Sequence, residues 1–299
     1  MVFEDKHAMS YDLYFTKPDI SLEQFHEYFE GRPHCTAAGS QVCYENKDTG
    51  VYFLIAHGES GGEDPEEIPS TATLNLNYYR PHVFGLEAAD EISAFVGHFG
   101  LSIHDPQTQG MDNGDFDKER FLHAWNHGNE LGCLAVLSGE NAPRDVFTLP
   151  GDRLENIWRW NLNKTSIQQG LGDGRFVPRI FLIEVEGRAA SAAVWPDAIP
   201  ELIPKVDYLA IVRNELAPRS FFGTRRKDTI FVPIRDLDPA LEAYATADYA
   251  LPAYMLPTVI IPTSLRDHVQ KLKHTGIKGK GISLDQVLDE EIVNKHRKA

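Results

Sequence analysis

The chain has 299 residues, 42% hydrophobic and 24% charged, with a formal net charge of −15. These proportions are those of globular proteins and exclude a disordered chain, and the length suffices for one large domain or two ordinary ones. Three cysteines, Cys35, Cys43 and Cys133, are too few and too scattered for a disulfide framework.

Tyr11 to Phe15 alternates in polarity and predicts a half-buried strand, stopped by Pro18. Ser21 and Gln24 form a capping-box pair opening a helix that Gly31 ends, with Leu22, Phe25 and Phe29 on its apolar face. Gln41–Glu45 and Val51–His57 read as a hairpin around Asn46-Lys47-Asp48-Thr49-Gly50. Thr71–Tyr79 is a third alternating run, and a helix is expected from Leu86 to Phe99, stopped by Gly100. Another helix starts near Asp117, carrying Phe121, Leu122 and Trp125, and a strand is expected over Cys133–Leu137.

The second half is expected to open with a helix capped by Asp152, with Glu155 at its third position. Arg179–Glu186 and Arg188–Trp195 predict a hairpin around Gly187, followed by strands at Val206–Val212 and Thr229–Ile234. Asp238-Pro239 fits a helix start, proline being favoured at the first helical position. Pro252, Pro257 and Pro262 interrupt the next apolar run, which reads as an edge strand or extended connector. Two closing helices are expected, one capped at Ser264 and one at Ser283 with Gln286, the latter carrying Leu284, Val287, Leu288 and Ile292 on one face. Hairpins and helices without regular βαβ alternation predict an α+β fold with mixed or antiparallel sheets.

Charge is unevenly spread. Residues 1–150 carry 25 Asp/Glu against 8 Lys/Arg, whereas residues 151–299 carry 19 against 21. The change coincides with a Gly/Pro-bearing stretch, residues 138–152. This gives an acidic domain over 1–140, a linker over 141–152 and a second domain over 153–299. An acidic first half repels nucleic acid and membrane surfaces and favours a basic protein partner. No apolar stretch approaches the roughly 18 residues of a membrane helix. The N-terminus lacks a basic segment leading into an apolar one, so a soluble, cytoplasmic protein is expected.

Several short patterns invite a chemical reading. Gly58-Glu59-Ser60-Gly61-Gly62 matches G-x-S-x-G after a strand, but the following Glu63 to Pro69 has two prolines and no helical stripe, so the nucleophile elbow lacks its helix. His123 and His127 stand at i and i+4 with Cys133 nearby, yet Ala124 occupies the place of the zincin glutamate, and capping or surface histidines near a helix end are the simpler reading. Asn113, Asp115, Asp117 and Glu119 alternate like early calcium-loop ligands, but Lys118 and Ala124 fill the positions that need Gly and Glu. The Gly/Lys run Thr275–Ser283 lacks P-loop spacing and reads as a flexible connector, and Arg219, Arg225, Arg226 and Lys227 read as a solvated loop. No catalytic, cofactor-binding or metal-ligating residue and no cofactor follow from these patterns. The partner-binding candidates are the loop carboxylates Asp64, Glu66, Glu67, Asp112, Asp115 and Asp117.

Ser10 to Phe15 (SYDLYF), Tyr44 to Phe53 (YENKDTGVYF) and Leu76 to Leu86 (LNYYRPHVFGL) together resemble segments of uncharacterised bacterial proteins that open with a Tyr-Asp-Leu-Tyr strand. Some proteins of that kind are immunity or partner proteins of secreted toxins. The resemblance spans about the first 110 residues and carries over no functional residue. It implies a cytoplasmic binding module, in its specific form an immunity protein covering a basic toxin. An enzyme, in particular a hydrolase using Ser60, and a structural subunit are the alternatives.

Overall fold

The computed structural model describes residues 10–58, 70–107, 109–139, 143, 146–218, 227–258 and 261–297. The fold is α+β, with mixed and antiparallel sheets. The chain forms two compact units, Met1–Val146 together with Leu284–Ala299, and Phe147–Ser283. No helix among the described residues is long and apolar enough to cross a membrane.

The first unit is built on seven strands: β1 (Ser10–Lys17), β2 (Cys35–Ala38), β3 (Gln41–Glu45), β4 (Tyr52–His57), β5 (Ala72–Asn77), β6 (Ser102–Asp105) and β7 (Asp112–Gly114). They lie in the order β2-β3-β4-β5-β1-β6-β7, and every pairing is antiparallel. Helices α1 (Leu22–Phe29), α2 (Val83–Phe99) and α3 (Lys118–Ser138) supply the apolar cover. In β1 the two-residue period sends Tyr11, Leu13 and Phe15 into the core and leaves Asp12, Tyr14 and Thr16 half-buried. The ring of Phe15 meets Phe95 of α2 at 5.2 Å, and that of Tyr11 meets Phe121 of α3 at 5.2 Å. These edge-on contacts fix which sheet face the helices cover.

Where α2 and α3 cross, Gly85 allows a close approach. A Cβ there would lie 2.6 Å from Cε3 of Trp125, a ring buried completely. On the buried side of α2, the carboxylate of Glu87 accepts from the Tyr44 hydroxyl (2.7 Å), the Asn46 amide (2.7 Å) and the Thr49 hydroxyl (3.1 Å). One helix carboxylate thereby pins the whole β3–β4 turn, which satisfies the demand that a buried charge be hydrogen-bonded.

The second unit contains β8 (Phe147–Leu149), α4 (Gly151–Leu171), β9 (Phe181–Val185), β10 (Arg188–Pro196), β11 (Leu202–Pro204), β12 (Tyr208–Arg213) and β13 (Asp228–Pro233). It continues through α5 (Ile234–Leu241), β14 (Ala245–Thr246), β15 (Ala253–Met255), α6 (Thr263–Lys271) and β16 (Lys280–Ile282). A five-stranded sheet, β13-β12-β10-β9-β16, is mixed because β10 and β12 run parallel. A smaller sheet has the order β11-β15-β14. Buried Asn161 of α4 donates to the carbonyl of Ile180 and accepts from its N–H, both at 2.8 Å, and Trp160 donates to Pro178 O at 2.8 Å. Polar groups inside the unit thus join the helix to the segment that enters β9.

The chain then returns to the first unit through a 3-10 turn (Leu284–Gln286), β17 (Val287–Asp289) and α7 (Glu290–Arg297). Leu288 and Val293 bury the Cys133 thiol of α3. Asp289 receives the backbone N–H of His82 at 2.8 Å and its Nδ1 at 2.5 Å, so a carboxylate sits at the N-terminus of α2, where the helix dipole favours it.

Several expectations need correction. Cys133–Leu137 is helix rather than strand, because α3 runs on to Ser138, and His123 and His127 are consequently mid-helix. A short apolar run carries no period of its own, and burial of one side of α3 against α7 decides it. Leu22 is 41% exposed, leaving Phe25 and Phe29 as the packed face of α1. Asp152 lies within the first turn of α4, whose N-cap is Pro150. The helix expected at Asp238-Pro239 begins at Ile234, directly off β13, and holds Pro239 in its interior. β15 is the middle strand of its sheet; Pro252 and Pro257 lie outside it and cost no ladder bond. The expected helix at Ser283 is instead the 3-10 turn, β17 and α7. The Gly/Lys run ends in β16, with Lys280, Gly281 and Ile282 opposite Glu184, Ile183 and Leu182. Leu284–Ala299 packs with the first unit, not with the residues 153–283 that precede it.

Candidate binding groove

Asp105, at the end of β6, is buried and accepts from the Tyr11 hydroxyl and from the backbone N–H groups of Gln107 (3.1 Å) and Met111 (2.9 Å). It folds the β6–β7 connection back on itself, and this places Gln107 and Gln109 beside α3. Tyr78, just after β5, reaches the same place: its hydroxyl donates to Gln107 Oε1 at 3.3 Å. Gly128 makes this approach feasible, since a Cβ there would lie 2.1 Å from the Tyr78 oxygen.

The result is a half-open groove of about 490 Å³ within the first unit. Its floor is the α3 face Ala124, Gly128, Gly132 and Ala135, with Leu131 alongside. Ser10, Asp12, Tyr78, Gln107, Gln109 and His127 supply its polar wall. Asp12 Oδ1 accepts from Asn75 Nδ2 at 2.7 Å and Oδ2 from Ser10 Oγ at 3.0 Å. Among the described residues no cation pairs with Asp12. Burial, and then the charges of Asp105 and Asp12, hold the Tyr78 hydroxyl well above the usual tyrosine range, so it stays a neutral donor. Burial and the hydrogen bond to Asp105 do the same for Tyr11.

The sequence-derived candidates lie elsewhere or nearby. Asp64, Glu66 and Glu67 fall outside the described residues, as do Ser60, Arg219, Arg225 and Arg226. Asp112, Asp115 and Asp117 are exposed around the turn that leads from β7 into α3. Asp117 caps α3 by accepting from Arg120 N at 2.8 Å, and Asp112 lies 3.8 Å from the Arg120 guanidinium. Asn113 Oδ1 accepts from His104 Nδ1 rather than joining Asp115 and Glu119 around an ion. His123 bonds Gln109 Oε1 at 2.9 Å, His127 lines the groove and Cys133 is buried against α7. No group of three or more His, Cys, Asp or Glu among the described residues is arranged to hold a metal.

The groove residues were missed by sequence reading. The available signal was the small-residue spacing Ala124, Gly128, Gly132 inside a helical pattern, which marks a face where something approaches closely. The chain matches no family model, no curated protein and no solved structure.

Proposed function

We propose that this protein is a binding module whose first unit docks a basic protein, in its specific form an immunity protein that neutralises a basic toxin by covering it. The supporting observation is that charge divides along the structural boundary. The first unit, with its returning segment, holds 29 Asp/Glu against 11 Lys/Arg; the second holds 15 against 18. Most of the described Lys/Arg side chains of the first unit are engaged within it. Arg32 pairs with Glu91, Lys118 with Asp90, Arg120 with Asp112 and Lys295 with Glu130, while Arg80 donates to Tyr79 O and Tyr52 Oη. Carboxylates such as Asp19, Glu23, Glu30, Glu45, Asp115 and Glu119 stay exposed. Such an excess steers an oppositely charged partner and speeds its association more than it slows its release.

The test is affinity capture from the native cell, identification of the captured protein, and association kinetics of the purified pair against salt. The on-rate should fall steeply as the Debye length contracts from about 30 Å at 0.01 M to about 10 Å at 0.1 M. Asp112→Lys with Asp115→Lys, and separately Asp64→Lys with Glu66→Lys and Glu67→Lys, should slow association. Asp117 is kept in both sets because it caps α3. An acidic partner, or an on-rate indifferent to salt and to both reversals, overturns the proposal.

A further inference from the structure

We infer that the groove between α3 and the β6–β7 connection receives an arginine side chain of the partner. This rests on the reading of the first unit as a docking module for a basic protein, and it adds where and by which residue that protein is held.

Three features of the groove select a guanidinium. First, its wall is rich in acceptors. Among the described residues each oxygen of Asp12 takes a single hydrogen bond, from Asn75 Nδ2 or Ser10 Oγ. A carboxylate oxygen has two acceptor sites, so a free one remains on each, the arrangement a two-pronged guanidinium fits. The side-chain amide oxygens of Gln107 and Gln109, already paired with Tyr78 and His123, each keep a second acceptor site. Second, the floor is bare: Ala124, Gly128 and Ala135 carry nothing beyond a methyl group, so the three-carbon stem of an arginine can lie flat on α3 beside Leu131. Third, Tyr78 puts an aromatic ring in the lining, a kind of group on which a planar cation packs favourably. Lysine would present a point charge, satisfying fewer of these acceptors at once. The volume, about 490 Å³, accommodates one such side chain with the backbone on either side of it.

The net charge of the first unit brings the cation, and Asp12 is the carboxylate in the groove to receive it. The neighbouring Arg120 cannot serve as an internal occupant, because it is directed to Gly110 O at 3.2 Å and toward Asp112.

The experiment uses the isotope-labelled full chain titrated with the tripeptide acetyl-Gly-Arg-Gly-amide, and with its citrulline and lysine counterparts, followed by NMR. Saturable shifts are expected at the Gly128 backbone amide and the Gln107 and Gln109 side-chain amides. Citrulline, which keeps the shape and loses the charge, should bind roughly tenfold or more weakly. Asp12→Asn should produce the same loss while the remaining spectrum stays in place. Ala135→Leu, on an exposed helix position, should block the groove without altering charge. No saturable shift at these groups, citrulline binding as well as arginine, or indifference to both substitutions overturns the inference. A basic protein that associates in a salt-dependent way with the Asp12→Asn chain as fast and as tightly as with the native one sinks the groove but leaves the docking reading standing. Arginine-peptide binding in the groove with no basic partner does the reverse.

Discussion

Arg213 and Asp228 face each other across β12 and β13, joined by two hydrogen bonds of 2.9 and 2.6 Å. Arg213 is 1% exposed, and its Nη1 also donates to the carbonyls of Val269 (3.1 Å) and Leu272 (2.8 Å) at the end of α6. One guanidinium therefore closes a strand pair and a helix C-terminus together. Arg213→Ala should destabilise the second unit by about 3 kcal/mol, because it leaves Asp228 with His274 alone, at 3.3 Å, and takes the guanidinium donor from the helix carbonyls. Denaturant unfolding measures this, and a loss under about 1 kcal/mol would contradict the assignment.

The same pair sets an acid limit. Hydrogen bonding to Arg213, strengthened by the charges of Arg213 and His274, lowers the Asp228 carboxyl below its ordinary value. At Asp197, partial burial acts upward but is outweighed by the backbone N–H groups of Asn214, Glu215 and Leu216, and its carboxyl is also lowered. A depressed folded value means the stabilisation is present above about pH 4 and is lost as pH falls through the folded value. Asp228→Asn and Asp197→Asn should each flatten the acid limb of the stability profile.

Glu201 behaves in the opposite sense. Its carboxyl is wholly buried, neither oxygen has a hydrogen-bond partner among the described residues, and burial raises its pKa well above the usual carboxylate range. The contribution is fully present below about pH 4.3 and is lost as pH rises toward the folded value. Glu201→Gln should remove that slope and raise stability at pH 8, read by urea midpoints across pH. A steeper decline in the variant would show that the carboxylate is held ionised.

Burial, with the charges of Asp289 and Glu130, pushes the Cys133 thiol up to about 12. Cys35, half-buried near Glu91, is pushed up to about 11. Alkylation at pH 8 should be slow at Cys35 and absent at Cys133 in the native chain. Asp289→Ala removes the acceptor at the start of α2 and loosens the returning segment, so Cys133 should become reactive. Mass spectrometry of the alkylated peptides decides it.

Gly85→Ala should cost about 1–3 kcal/mol despite alanine's better helix propensity, since its methyl meets the Trp125 ring. Trp125 emission and thermal unfolding report the displaced ring; an unchanged melting temperature would show that α2 and α3 separate freely.

Local signals carried most of the architecture. The Ser21/Gln24 box, the alternation in β1, and the turn at Glu186-Gly187, both at positive φ, are written within a few residues and appear where the sequence places them. Short strands such as β2, β7, β11 and β14 were not legible, because their place depends on a partner distant in sequence. The groove was hidden for the same reason. Asp12, Tyr78, Gln107 and His127 are brought together by β1–β6 pairing and by a buried aspartate, not by spacing.

The placement of Leu284–Ala299 also orders events on the ribosome. Asp289, Leu288 and Val293, which seal the first unit, are translated after every residue of the second. At about 5–20 residues per second the intervening 147–283 takes several seconds or more to emerge. During that interval the nascent acidic unit has α2 without its carboxylate and Cys133 without its cover. Synthesis of the second unit therefore precedes closure of the first, and a chain whose middle stalls leaves α2 and Cys133 of the first unit uncovered.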